Sequence, residues 1–268
     1  MKSRLGLFFL IAVCGLSITA YGQDTTSDPI ITDRPSFGTG TFVLPVGTFQ
    51  IETGFQFTTN NSSIPGNVAP GLRFEVINFN NTLLRYGISD KIELRFTQNL
   101  TQSRFRLDGE TTETNPTNFS PTAIGAKIRL VENDDNLPDI SLLANIGGQV
   151  FSDDGSGSFM DASVLVSKTV FNNFGLDMNF GTAWLNGLST ISFQYAFGLS
   201  KGLSDNMGFY IESYGILPED NRLEEHNINA GLNFLLNNST QLDVYGGTGF
   251  SRFSPNFFFG LGFSKRFQ

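Results

Sequence analysis

The sequence predicts an all-β fold: a transmembrane, antiparallel, up-and-down β-barrel of about twelve strands, with both termini on the periplasmic side of a bacterial outer membrane. Three observations predict it: a secretion leader, apolar residues at every second position, and alternating short and long connections. The composition agrees, since 28 Phe and only 16% charged residues accompany a mean hydropathy of −0.06. A membrane strand has only one lipid face, so a barrel combines many aromatic residues with average hydropathy.

The first 22 residues have the features of a cleaved signal peptide. Lys2 and Arg4 precede an apolar stretch, and Ala20 and Gly22 are the small residues of a cleavage site. This leader predicts export through the inner membrane, which is a requirement for a protein of the outer membrane.

Cys14 is the only cysteine and lies within this leader. An acylated lipoprotein is the alternative, which the bulky Val13 before the cysteine disfavours. If the leader is removed, the mature chain contains no cysteine, so disulfides, thiol catalysis and cysteine metal sites are excluded. Loss of Lys2 and Arg4 leaves 15 basic residues against 25 acidic ones, a net charge of −10, which argues against a nucleic-acid partner.

Residues 23–46 are polar and contain several prolines, and we interpret them as a periplasmic lead-in or a possible plug segment. The barrel is predicted over residues 47–268. There, apolar side chains alternate with polar or small ones, as in strands with one lipid face and one interior face. Twelve segments show this pattern: 48–57, 83–88, 91–96, 124–130, 140–150, 160–166, 174–181, 193–200, 209–212, 227–234, 241–245 and 257–264.

The connections between these segments fall into two classes. Turns made of Asn, Asp and Ser are predicted at residues 89–90, 172–173, 204–206 and 237–238, with a medium-length turn at 133–139. Longer polar stretches lie between them, at residues 60–71, 102–119, 151–158, 185–191, 217–226 and 251–256. Short periplasmic turns and long outer loops are typical of outer-membrane barrels. An open edge is not tolerated in hydrocarbon, so the last strand is expected to pair with the first.

Any function is expected on the inward face and in the outer loops. The first four strands are predicted to place a charged patch in the lumen, formed by Glu52, Arg85, Lys91, Glu93, Arg95, Lys127 and Arg129. If a three-residue turn joins the second and third strands, Arg85 faces Glu93, and opposite charges stabilise such a pair. Two interpretations stay open: the charges pair and fill the barrel, or they guide a solute.

On the ninth strand, Tyr210, Glu212 and Tyr214 are predicted to form an inward ladder that either packs the lumen or binds an aromatic solute. Glycine recurs at inward positions, where it either leaves a path for water or relieves crowding. His226 is the only histidine and follows acidic residues of a predicted outer loop; we expect it to be solvated and not catalytic. With no cofactor motif and no metal-ligand cluster in the sequence, an enzyme is not predicted.

Three stretches go beyond the general pattern of a barrel. Residues 31–35 read ITDRP, residues 44–55 read LPVGTFQIETGF, and residues 84–95 read LRYGISDKIELR. They resemble the "MetA-pathway of phenol degradation" family of outer-membrane transporters. The final strand, at residues 263–268, resembles the C-terminal signal that brings barrels to the barrel-assembly machinery, although one residue follows its terminal Phe267.

The resemblance implies a barrel that carries small, aromatic or apolar molecules across the outer membrane, with lipid as its environment. The solute itself is not identified. Asp33, Arg34 and Pro35 precede the first strand. There the lead-in either plugs the periplasmic mouth, with Arg34 paired to Glu52 or Glu93, or forms only a local turn. The leading hypothesis is a narrow channel, and the alternative is a structural or surface-interaction barrel with a filled lumen.

Overall fold

A computed structural model describes residues 28–60, 71–132, 137–148, 158–185, 190–219 and 224–267. The predicted leader and Cys14 lie outside these residues. The described strands are β1 (Phe49–Asn60), β2 (Leu72–Ser89), β3 (Ile92–Leu107), β4 (Glu110–Thr114), β5 (Asn118–Phe119), β6 (Thr122–Val131), β7 (Asp139–Gly148), β8 (Phe159–Thr169), β9 (Gly175–Leu185), β10 (Thr190–Ser204), β11 (Met207–Pro218), β12 (Glu225–Asn237), β13 (Thr240–Gly249) and β14 (Phe257–Phe267). Among the described residues, no helix is long and apolar enough to cross a membrane.

Twelve of these strands close into an antiparallel barrel. β3 pairs with β6, so β4 and β5 lie outside the ring and pair only with β3. The ring closes where β1 pairs with β14, with Phe49 opposite Phe267 and Thr59 opposite Phe257. The predicted fold class is confirmed, including the pairing of the first strand with the last. Each of the twelve predicted segments overlaps one barrel strand, and residues 149–150 of the fifth segment lie outside the described residues.

The barrel exposes apolar side chains and buries charged ones, which is the reverse of their distribution in a water-soluble protein. Large apolar side chains such as Ile124, Phe197 and Leu261 are exposed on the outer wall, whereas Arg85 and Lys127 are completely buried inside. Charged residues are almost never fully buried unless they are paired, and a polar interior with an apolar exterior is typical of a membrane barrel. The alternation in the sequence therefore has its predicted cause, contact with lipid on one face.

The short turns lie where Asn, Asp and Ser predicted them. Asn172 and Asn173 have positive φ angles of 53° and 59°, a conformation that Asn tolerates better than most residues. The predicted stretch 102–119 was too long, because β3 extends to Leu107, and the second predicted segment was too short, because β2 begins at Leu72 and not at residue 83. Residues 78–82 of β2 and 97–103 of β3 are rich in Asn, Thr and Gln and lack the lipid-facing alternation that identified the other strands.

The predicted register of the β2–β3 hairpin was wrong. Arg85 lies opposite Arg95, and Glu93 lies opposite Gly87. The shift arises because the register is irregular between Gly87 and Ser89, next to a two-residue turn. Arg85 and Glu93 still form an ion pair, but they do so diagonally across the hairpin.

Candidate functional site

An irregular segment, residues 28–47, runs through the lumen at the end of the barrel that carries the short turns. We call it the N-terminal segment. It has no strand partner of its own, so its backbone polar groups need other partners. They find them on inward side chains of strands around the wall, including Gln50, Arg85, Glu93, Lys127, Ser141, Asn179, Tyr210, Glu212 and Arg266.

Six charged side chains form the ion cluster on one side of the lumen. We define it as Asp33, Glu52, Glu93, Arg85, Arg95 and Lys127. Its three carboxylates and three cations balance, and none of the side chains is more than 8% exposed. Burying charges is costly unless they are paired and hydrogen-bonded, so the balance is a condition for this arrangement.

Arg85 is the centre of the cluster on the barrel wall. Its guanidinium donates to Glu52 at 2.8 Å and to both oxygens of Glu93 at 2.8 Å. It also donates to the backbone carbonyls of Ile31 and Phe42 in the N-terminal segment. One buried side chain thus links three strands to the segment.

Asp33 is the one member of the cluster that the N-terminal segment supplies. Its carboxylate lies 2.5 Å from Arg95, 3.1 Å from Lys127 and 3.8 Å from Arg85. Burial alone would raise the pKa of Asp33, but the charges of Arg85, Lys127 and Arg95 together outweigh it and hold that pKa well below its usual range. Asp33 therefore stays ionised and neutralises the third cation.

The carboxylates of the cluster also bind the backbone of the segment. Glu52 accepts hydrogen bonds from the N–H groups of Asp33 and Arg34, and Glu93 accepts one from Leu44. Between these points the Lys127 ammonium donates to two carbonyls of the segment. The cluster therefore fixes two stretches of the segment ten residues apart in the chain.

Arg34 points to the other side of the lumen, away from the ion cluster. It forms two hydrogen bonds of 3.3 Å to Asp243 and lies 5.7 Å from the centroid of the Tyr245 ring. The expected ion pair between the Arg34 side chain and Glu52 or Glu93 was wrong. Only the backbone N–H of Arg34 reaches Glu52.

A pair of glycines makes room for the Arg34 side chain. Gly54 and Gly262 face each other across β1 and β14. A Cβ atom at Gly54 would overlap the Arg34 guanidinium, and one at Gly262 would overlap both Arg34 and Asp243. These two inward glycines form a slot for a side chain of the segment, and at Gly54 a Cβ atom would also overlap the Leu261 carbonyl of the neighbouring strand.

The middle of the segment is held by β9 and β11. Glu212 accepts hydrogen bonds from the N–H groups of Phe37 at 2.8 Å and Gly38 at 2.6 Å. The Asn179 amide bonds both the N–H and the carbonyl of Thr39. The Tyr210 hydroxyl donates to the Pro35 carbonyl at 3.1 Å. We call residues 35–39 the strap.

Aromatic side chains line the lumen next to the strap. The Phe37 ring stacks on Tyr214 with 3.9 Å between centroids and 9° between planes. Tyr214 meets Phe258 edge-on at 6.4 Å, and Phe258 lies 6.5 Å from Tyr245. The predicted ladder Tyr210–Glu212–Tyr214 lies inside the barrel, and all three side chains contact the strap.

A cavity of about 430 Å³ lies on the other side of the strap. The strap contributes Pro35, Ser36 and Gly38 to its lining, but Phe37 is not part of it. The wall is formed by β8 to β13, with residues such as Asp177, Asn179, Gly198, Tyr210 and Asn233. The N-terminal segment thus fills part of the lumen and leaves a space beside it.

Two members of the predicted charged patch lie outside the ion cluster. Lys91 is exposed in the turn between β2 and β3. Arg129 lies at the rim, where it bonds the backbone carbonyls of Asp90 and Val43 and pairs with Glu132. Sequence reasoning missed the roles of Asn179 and Asp243; their polar character at inward positions was the only signal.

His226 lies in β12, and its prediction as a loop residue was wrong. Its ring Nδ1 lies 2.7 Å from the Tyr195 hydroxyl, and the ring stacks on Phe250. Ser251 and Ser254 accept from its backbone N–H, so their hydroxyls are engaged by the main chain of His226 and not by its ring. Among the described residues, no group of three or more His, Cys, Asp or Glu is arranged to hold a metal ion.

A family model described as "Putative MetA-pathway of phenol degradation" matches residues 32–267. The chain belongs to this family. The match begins at Thr32, so it includes Asp33 and Arg34 of the N-terminal segment as well as the whole barrel. No curated protein matches the chain.

Solved structures share the fold of this family member. An outer membrane channel from Pseudomonas putida F1 is 14% identical, with a TM-score of 0.63 over 85% of this chain and 98% of that one. The translocator domain of the autotransporter NalP from Neisseria meningitidis is 13% identical, with a TM-score of 0.54 over 84% and 90% of the two chains. The β domain of the Bordetella autotransporter BrkA is 11% identical, with a TM-score of 0.50 over 82% and 99%. At these identities the likeness concerns the fold, which is that of an outer-membrane barrel.

Proposed function

We propose that this barrel is a narrow outer-membrane channel for small molecules, including aromatic and apolar ones, and that its own N-terminal segment restricts the lumen. The observation that carries the proposal is the presence of the N-terminal segment in the lumen. An irregular segment from outside the strands is held there by hydrogen bonds and ion pairs, and a cavity of about 430 Å³ remains beside it. A purely structural barrel can fill its lumen with side chains of its own strands and needs no such segment.

The comparisons support the transport part of this proposal. The family description refers to phenol degradation, and the protein from Pseudomonas putida F1 is described as an outer membrane channel. The Phe37 ring, stacked on Tyr214, gives the lumen an aromatic surface that suits a flat, uncharged ring. The paired charges of the ion cluster anchor the segment in this proposal and do not guide the solute.

The same proposal includes the route of the chain to the membrane. Residues 1–22 are removed as a signal peptide, and β14 is recognised by the barrel-assembly machinery. The short turns and both termini of the chain face the periplasm, and the long loops face outward. The N-terminal segment then lies in the periplasmic half of the lumen. We propose no catalytic role for any residue.

The test is reconstitution of the purified full chain into liposomes and planar bilayers. We expect stepwise ionic currents and swelling in isotonic solutions of small neutral sugars, at rates above those of protein-free liposomes. The matched control is the same protein after heat denaturation. A barrel that folds but shows neither current nor swelling would leave the fold intact and exclude the channel.

A further inference from the structure

The exposure of Phe37 differs from that of the rings around it. Phe37 is 52% exposed, although it lies inside the barrel, whereas Tyr214 is 5% exposed and Phe258 is 2% exposed. One face of the Phe37 ring is covered by Tyr214 in a parallel stack. Its uncovered face therefore looks into the open part of the lumen. A large apolar ring is left half exposed beside the buried rings of Tyr214, Phe258 and Tyr245.

The direction in which Phe37 faces follows from the strand order. β11 runs from the short turn before Met207 to the long connection after Pro218, so Tyr214 lies nearer the long-loop end than Tyr210 does. Phe258, beside Tyr214, is the second residue of β14, which starts at the same end. The cavity on the other side of the strap is lined by Tyr210 and not by Phe37. A solute that enters from the long loops thus meets the Phe37 ring before it reaches the backbone of the strap and the cavity.

The backbone around Phe37 holds the ring in place. The N–H groups of Phe37 and Gly38 both donate to Glu212, a carboxylate that is 2% exposed and also accepts a hydrogen bond from Asn229. A Cβ atom at Gly38 would come within 2.7 Å of that carboxylate, so only glycine permits this close approach. These bonds fix the backbone at Phe37, and the stack on Tyr214 orients its ring.

We propose that Phe37, backed by Tyr214, is a binding subsite for the aromatic ring of a solute. The inference rests on the proposed function and names the residues that select its solute. A flat ring placed on the free face of Phe37 continues the stack and gains both apolar contact and the alignment of aromatic quadrupoles. A saturated ring of the same size gains only the apolar contact. The subsite therefore prefers aromatic over aliphatic solutes.

The test measures binding without transport. Saturation-transfer NMR on the purified full chain in detergent uses phenol as the probe and cyclohexanol as the saturated counterpart. We expect transfer to phenol to exceed transfer to cyclohexanol. In Phe37→Leu the phenol affinity is expected to fall about five- to tenfold, the size of a lost aromatic contact. Phe37→Tyr keeps a ring and is expected to retain binding.

The matched control is Phe171→Leu, which removes a phenyl ring that is 72% exposed in the turn before β9. It is expected to bind phenol like the unmodified protein. Heat-modifiable gel mobility shows that each variant folds. Equal phenol binding by Phe37→Leu and Phe171→Leu would overturn the subsite, as would equal binding of phenol and cyclohexanol. Phe37-dependent binding in a protein that passes no current would instead overturn only the channel.

Discussion

Replacing Arg85 by Met is expected to destabilise the whole barrel by about 3–5 kcal/mol, the cost of removing one partner from a buried ion pair. Arg85 is completely buried and is the shared partner of Glu52 and Glu93. Without it these two carboxylates, with Asp33, are left with Arg95 and Lys127 as their only cations. The free energy of unfolding, measured by urea titration in lipid vesicles, should show the loss.

Two variants give this prediction its controls. Arg252→Met removes an exposed arginine from the connection between β13 and β14 and should change the stability by no more than about 0.5 kcal/mol. Arg85→Lys keeps the charge but not the planar fork that bonds two carboxylates, so its stability should fall between the other two. A stability of Arg85→Met equal to that of Arg252→Met would contradict the assigned role of the ion cluster.

Replacing Asp33 by Asn is expected to release the N-terminal segment and leave the barrel folded. The change leaves the three cations of the cluster with two carboxylates, and an uncompensated buried charge costs about 3–5 kcal/mol. Asp33 is not part of any strand, so the cost falls on docking of the segment. Because the free energy of docking falls by this amount, proteinase K should cleave the variant within residues 28–44 faster by about tenfold or more.

A second substitution that restores the charge balance of the ion cluster should rescue the Asp33→Asn variant. Adding Lys127→Met to Asp33→Asn leaves two cations and two carboxylates, and protection against the protease should return in part. Asp28→Asn changes an exposed carboxylate of the same segment and should have no effect. Equal cleavage of Asp33→Asn and Asp28→Asn would show that the cluster does not hold the segment.

The pH dependence of docking has a definite sign. A carboxylate whose pKa is depressed in the docked state contributes stability above its ordinary pKa and loses it only as the pH falls through the depressed value. Buried among three cations, Asp33 has such a pKa. The protection that Asp33 contributes, measured as the ratio of the cleavage rates of Asp33→Asn and the unmodified protein, should therefore be the same at about pH 5 as at about pH 7.

The barrel could be predicted from the sequence because lipid imposes a local pattern. Every second residue of segments such as 193–200 and 257–264 must be apolar, whatever its partner strand is. Residues 78–82 of β2 and 97–103 of β3 could not be predicted in this way, because these stretches of Asn, Thr and Gln have no lipid-facing alternation. The β2–β3 register failed for another reason: one irregularity near Gly87 moved Arg85 from Glu93 to Arg95.

The candidate site was only partly predictable. Parity along the strands placed Glu52, Arg85 and Glu212 on the inward face, and the motif before the first strand drew attention to Asp33 and Arg34. The residues that bind the N-terminal segment could not be predicted, because an irregular segment can contact inward residues of any strand. Arg34 is 209 positions from Asp243, and no local pattern relates two residues at that separation.

The most direct measurement compares the single-channel conductance of the full chain with that of a variant that lacks residues 28–44. The account predicts a larger conductance in the variant, on the order of three- to tenfold, because the lumen of a twelve-stranded barrel is then occupied only by its own side chains. Removing residues 108–116, which lie outside the ring, serves as the control and should leave the conductance unchanged. Equal conductance with and without residues 28–44, or no current from either protein, would contradict a channel restricted by its own N-terminal segment.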